Sequence, residues 1–97
     1  MEDNRESRLR ILKGDTMKIL AIYDNGGKTI DRYTVYYDEM WSPSCNSCLC
    51  MSDDPFYPLG VCQHSGGQLG DHNGKQITFE QLSSDCQKAV LNDMEEA

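Results

Sequence analysis

The sequence predicts an α+β fold: a small antiparallel β-sheet led by an N-terminal hairpin, with one C-terminal α-helix packed on it. Three stretches carry that prediction. Within Lys18 to Asp38, two runs rich in β-branched and aromatic residues flank Asp24-Asn25-Gly26-Gly27-Lys28, and Asn-Gly supplies the positive φ angles of a tight hairpin turn. Gln76-Ile77-Thr78-Phe79 reads as a further strand. Ser84-Asp85-Cys86-Gln87 opens a helix as a capping box, with Gln87 three residues after the hydroxyl of Ser84.

Taken in order, the first hairpin arm, Ile19-Leu20-Ala21-Ile22, is apolar throughout and asks for cover on both faces. The second arm alternates, with Tyr33, Val35 and Tyr37 on a core face and Arg32, Thr34 and Tyr36 on a polar one. A lone hairpin is marginal in water, so the rest of the chain must cover it. Met40 to Gly74 holds Pro43, Pro55, Pro58 and most of the glycines and serines, which predicts loops with short strands at Leu49-Cys50-Met51 and Leu59 to Gln63. Asp53-Asp54-Pro55 and Asp71-His72-Asn73-Gly74 read as turns. The last helix runs to about Met94 and turns Cys86, Ala89, Val90 and Met94, at i, i+3, i+4 and i+8, onto the sheet.

Ninety-seven residues make a single small domain, assigned to residues 17–97. Residues 1–16 are charged and lack apolar periodicity, as a disordered tail would be. A second origin fits as well, because Lys13-Gly14-Asp15-Thr16-Met17 can be encoded by a purine-rich ribosome-binding sequence ahead of an ATG, making the segment a translated leader before a native start at Met17. Nine Lys and Arg against sixteen Asp and Glu give a net charge of −7, which repels phosphate and argues against nucleic acid or anionic lipid as the partner. No apolar run is long enough to span a bilayer and MEDNRESRLR lacks the apolar core of an export signal, so a cytoplasmic protein is expected. In that compartment five cysteines point to reduced thiols or a metal rather than disulfides.

The phrases YDNGGKTIDRYTV (23–35), MSDDPFYPLG (51–60), Gln63-His64 and HNGKQITFEQLSSDCQKAV (72–90) together resemble a family of small uncharacterised proteins carried by bacteria, bacteriophages and other mobile elements. The resemblance runs from Met17 to the end of the chain. It departs from the family pattern at Asn73, where a Leu is usual, at Ser83-Ser84, where a Pro usually starts the helix, and at the Cys45, Cys48 and Cys50 cluster. It implies a phage or mobile-element context and no particular activity.

Several constellations invite chemistry. Cys45-x2-Cys48-x-Cys50 followed by Cys62-x-His64 has the composition of a structural zinc site, although the single residue between Cys62 and His64 is cramped against the usual spacing of about two to four. Buried cysteine acting as a small hydrophobe accounts for the same residues. A Cys-His catalytic pair, Cys62 or Cys48 with His64 or His72, lacks an identifiable orienting acid. Gly26-Gly27-Lys28-Thr29 and Gly70 to Lys75 fail as phosphate loops, because Ile22 and Leu69 stand where the first glycine is required and strand-like sequence follows.

What remains is surface. Asp38-Glu39, Asp53-Asp54 and Asp93-Glu95-Glu96 are either a solvated face or a negative surface for a basic partner. Trp41, Phe56 and Tyr57 are either packing residues or interface anchors, and His64, Asp71 and His72 fall in polar loops able to touch a partner. The sequence therefore predicts a small acidic, non-enzymatic protein-binding module without a cofactor. Its expected partner is a basic, nucleic-acid-handling protein, and its expected contact set is Asp38, Glu39, Trp41, Asp53, Asp54, Phe56, Tyr57, His64, Asp71 and His72. The alternative is a zinc-stapled domain using Cys45, Cys48, Cys50, Cys62 and His64.

Overall fold

The structure is a computed structural model and describes residues 18–96; the tail and leader readings of residues 1–16 lie outside the described residues. Five strands, β1 (Ile19–Asp24), β2 (Tyr33–Ser42), β3 (Cys45–Met51), β4 (Cys62–Gly67) and β5 (Lys75–Ile77), form one antiparallel sheet in the order β4-β3-β2-β1-β5. Among the described residues one α-helix, α1 (Ser84–Glu96), follows two short 3-10 turns, Asp71–Asn73 and Phe79–Gln81. This is the α+β architecture expected, and among the described residues no helix is long and apolar enough to cross a membrane.

The leading hairpin forms with a longer loop than Asn-Gly predicts. Asp24 pairs with Tyr33, leaving residues 25–32 as the connection. Asn25 organises it: its Oδ1 accepts from the Gly27 and Lys28 N–H groups at 2.8 and 3.1 Å, and its Nδ2 donates to Thr29 Oγ1 at 2.8 Å. Gly26 and Gly27 take φ of 78° and 88°, so the positive φ angles are real, but they serve an Asx-type loop rather than a two-residue turn. Arg32 clamps the base of the loop by donating Nε and Nη2 to Asp24 at 2.8 and 3.1 Å.

The sheet is covered on both sides, which corrects the expected polar face. Ile22, Val35, Tyr37, Leu49 and Met51 meet Leu82, Cys86, Ala89 and Val90 in the main core under α1. On the opposite side Ala21, Tyr23, Tyr36 and Cys48 form a second, smaller cluster, with Tyr23 and Tyr36 edge to face at 5.8 Å. Tyr36 is thus buried, its hydroxyl 3.0 Å from the Gln68 carbonyl and 2.9 Å from Asn73 Oδ1. In the first arm the register shifts between Ile19 and Ala21, and Leu20 at that irregularity is exposed rather than covered.

The region expected to be loop-rich supplies a central strand and an edge. β2 continues to Ser42, turns at Pro43-Ser44, and returns as β3, with Ser42 opposite Cys45. His64 to Gly67 is strand, not loop. Conversely, the strand expected at Gln76 to Phe79 is cut to three residues, because Thr78 donates its N–H to Gln81 Oε1 at 2.8 Å and begins a 3-10 turn. The helix cap lies one residue earlier than Ser84: Ser83 Oγ accepts from the Cys86 N–H at 3.2 Å, while Gln87 Nε2 donates to the Phe79 and Leu82 carbonyls. Cys86, Ala89 and Val90 are buried and Met94 packs against them, as the helical period predicts.

Candidate functional site

β4 is an edge strand, and the carboxy-terminal half of α1 lies beside it. Leu49 stands opposite His64, and Met51 opposite Cys62. Because Leu49 and Met51 face α1, period-2 alternation puts His64 and Cys62 on that same face. From the helix Asp93 meets His64, whose Nδ1 is 3.0 Å from Oδ2 and 3.1 Å from Oδ1. Behind them the Tyr37 ring stacks on the imidazole with centroids 5.9 Å apart and planes 6° apart. Trp41, more than half exposed, lies against the same imidazole with centroids 5.8 Å apart.

The result is an open groove of about 270 Å³ lined by Leu49, Phe56, Cys62, His64, Asn92 and Asp93. A thiol, an imidazole and a carboxylate do therefore converge, with Asp93 supplying the acid that sequence spacing did not identify. Asp93 reads in sequence as one of a run of solvated charges; its contact with His64 spans 29 residues and leaves no local signal.

The chemistry of the thiol runs against nucleophilic use. Partial desolvation of the sulfur on a residue that is otherwise exposed, and then the negative charge of Asp93, push the Cys62 thiol above its ordinary range, the opposite of what an activated cysteine requires. Among the described residues no hydrogen bond joins Cys62 to His64. The Tyr37 hydroxyl is buried behind His64 with no hydrogen bond of full geometry, and burial first, then the charge and close approach of Asp93, hold its ionisation well up.

The expected contact residues are only partly brought together. Phe56 and His64 share the groove, Trp41 lies against His64 from outside its lining, and Tyr57 is exposed in the same connection as Phe56. Asp53 and Asp54 lie near the first turn of α1, where the Cys86 thiol donates to the Asp53 carbonyl at 3.7 Å, well away from Asp93 in the same helix. Asp38 and Glu39 are exposed on β2 next to a register shift. Asp71 and His72 belong to a 3-10 turn whose Asn73 reaches Tyr36 on the opposite face. Among the described residues these acidic groups thus lie on several separate elements.

The expected zinc set is divided by the sheet. Cys48 and Cys50 leave β3 on the face away from α1, whereas Cys62 and His64 leave β4 on the face toward it. Among the described residues no group of three or more His, Cys, Asp or Glu comes together to hold a metal ion. All five cysteines are free thiols. No protein-family model, curated protein sequence or solved structure matches the chain, so the groove is read on its own geometry.

Proposed function

We propose that this chain is a small acidic, non-catalytic binding protein that holds a basic partner protein by inserting one of the partner's arginine or lysine side chains into the groove between β4 and α1. The observation that carries this reading is the Asp93 carboxylate in the lining of a groove that it shares with the exposed Phe56 ring, with the exposed Trp41 ring set against the His64 imidazole beside it. A guanidinium stacks on an aromatic face and forks onto a carboxylate, so ring and acid side by side suit it chemically. At about 270 Å³ the groove is smaller than the roughly 300–1,000 Å³ of small-molecule sites. It matches one side chain better than a substrate. A net charge of −7 would steer a basic partner toward the chain from any side.

The partner class is a nucleic-acid-handling protein, and the family resemblance adds a phage or mobile-element setting in which the chain acts as an accessory factor in the cytoplasm of the infected cell. The competing reading is a Cys62–His64–Asp93 hydrolase or transferase, favoured by convergence of the three groups and opposed by the raised thiol. Affinity capture from bacterial lysate separates surface from groove. Retention of a basic protein by the wild type, its loss with Asp93→Asn and Trp41→Ala, and its persistence with Asp53→Lys plus Asp54→Lys supports the groove. Loss with the Asp53 and Asp54 changes alone rejects it.

A further inference from the structure

Cys48 and Cys50 stand two positions apart on β3, so both side chains leave the sheet on the face turned away from α1. Their sulfurs are 4.0 Å apart. Thr34 and Tyr36 on β2 and Gln63 and Ser65 on β4 are their cross-strand neighbours, and none of the four carries a charge. Cys48 is 1% exposed, while Cys50 is half-buried and gives the pair an opening to solvent.

Two thiols with no third metal-ligating side chain gathered beside them, among the described residues, decide which ion the pair suits. Zinc in a structural site asks for four protein ligands, and calcium or magnesium for oxygen. Soft thiolates select copper(I), and a closed-shell monovalent ion accepts two of them. With metal–sulfur bonds of about 2.3 Å, two thiolates on one ion sit roughly 3.8 Å apart at a tetrahedral angle and roughly 4.6 Å apart in line. The observed separation falls between these limits, so small side-chain rotations close the site around an ion.

We propose that Cys48 and Cys50 form a two-thiolate site for a soft monovalent metal ion, copper(I), on the sheet face opposite the groove. Binding makes two S–Cu bonds and displaces to solvent the protons the sulfurs still carry; the oxidation state of the metal and of both sulfurs is unchanged.

The test is an anaerobic titration of the reduced full-length chain against the copper(I)–bicinchoninate chromophore. The expected result is one equivalent of copper withdrawn per chain, a near-ultraviolet sulfur-to-copper band, and two sulfur neighbours in X-ray absorption. Cys50→Ser weakens uptake by more than about 100-fold, beyond the loss that changing an outer-shell partner usually causes. Cys62→Ser and Cys45→Ser leave it unchanged. Cys48→Ser behaves like Cys50→Ser, with circular dichroism reporting that the fold persists; because Cys50 is less buried than Cys48, its variant decides the matter even where Cys48→Ser fails to fold. No uptake by the wild type, uptake undiminished in Cys50→Ser, or tighter binding of zinc than of copper(I) overturns the site.

Discussion

Trp41 lies against the backbone of Gly66: a β-carbon built on Gly66 would collide with Cδ1 and Cγ of the indole. Glycine is required here for room, since an aromatic ring from β2 reaches across β3 and rests on the bare backbone of the edge strand. This contact seats the indole beside His64, which lines the groove. Gly66→Ala is expected to lift the indole off β4 and cost about 1–2 kcal/mol through lost apolar burial. Trp41→Ala costs a similar amount, and adding Gly66→Ala to it costs nothing more, because both changes remove one contact. Chemical denaturation of the four variants reads the cycle, and equal additive losses would contradict the contact.

Tyr37 offers a sharper case. Its ring is fully buried and its hydroxyl has no hydrogen bond of full geometry, only the approach of the Asp93 carboxylate, so the oxygen's desolvation is weakly compensated. Tyr37→Phe is expected to leave stability within about 0.5 kcal/mol of the wild type or to raise it. A loss above about 1.5 kcal/mol in urea denaturation would mean that the hydroxyl is bonded after all.

Cys62 provides a pH test of the competing enzymatic reading. Burial first and Asp93 second favour its neutral form, so the thiolate forms only above the ordinary thiol value of 9.0. Iodoacetamide labelling of Cys62, followed by mass spectrometry, is expected to half-rise above pH 9.0, and Asp93→Asn is expected to move that midpoint down and speed labelling at pH 8. For an acid whose folded value is raised, the associated stability is complete below the unfolded value and is lost as pH climbs through the folded one. Labelling that is rapid near neutrality and depends on His64 would instead indicate an activated nucleophile.

The phase of α1 is testable on neighbouring residues. Val90 is completely buried and Leu91 is 45% exposed. Val90→Ala is expected to cost about 2 kcal/mol, whereas Leu91→Ala stays within roughly 0.5 kcal/mol. The reverse order in thermal melts would rotate the helix.

That phase was legible in the sequence, because Cys86, Ala89, Val90 and Met94 keep the helical period with no other strong pattern competing. The first hairpin was legible as two arms, but Asn25 spends its side chain on the Gly27 and Lys28 amides, which lengthens the loop beyond what Asn-Gly alone implies. β3 and β4 were hidden by composition: CNSCLCM and CQHSGG carry few β-branched residues, and their strand state comes from pairing with β2 and with one another. Alternation places Tyr36 on a polar face because it cannot reveal that a sheet is covered twice. The groove was legible only in parts, since Trp41, Phe56 and His64 stand out by residue type while Asp93 becomes visible only when α1 is laid beside β4.

Trp41 is the chain's single tryptophan, so its fluorescence reports on the groove directly. Titrating the full chain at low salt with a short arginine-containing peptide is expected to quench Trp41 in a saturable way, with the response lost in Asp93→Asn and kept in Asp53→Asn plus Asp54→Asn. A matched glutamate peptide leaves the signal flat. Identical quenching by the arginine peptide in the wild type and in Asp93→Asn, or none in the wild type, would contradict recognition through the β4–α1 groove.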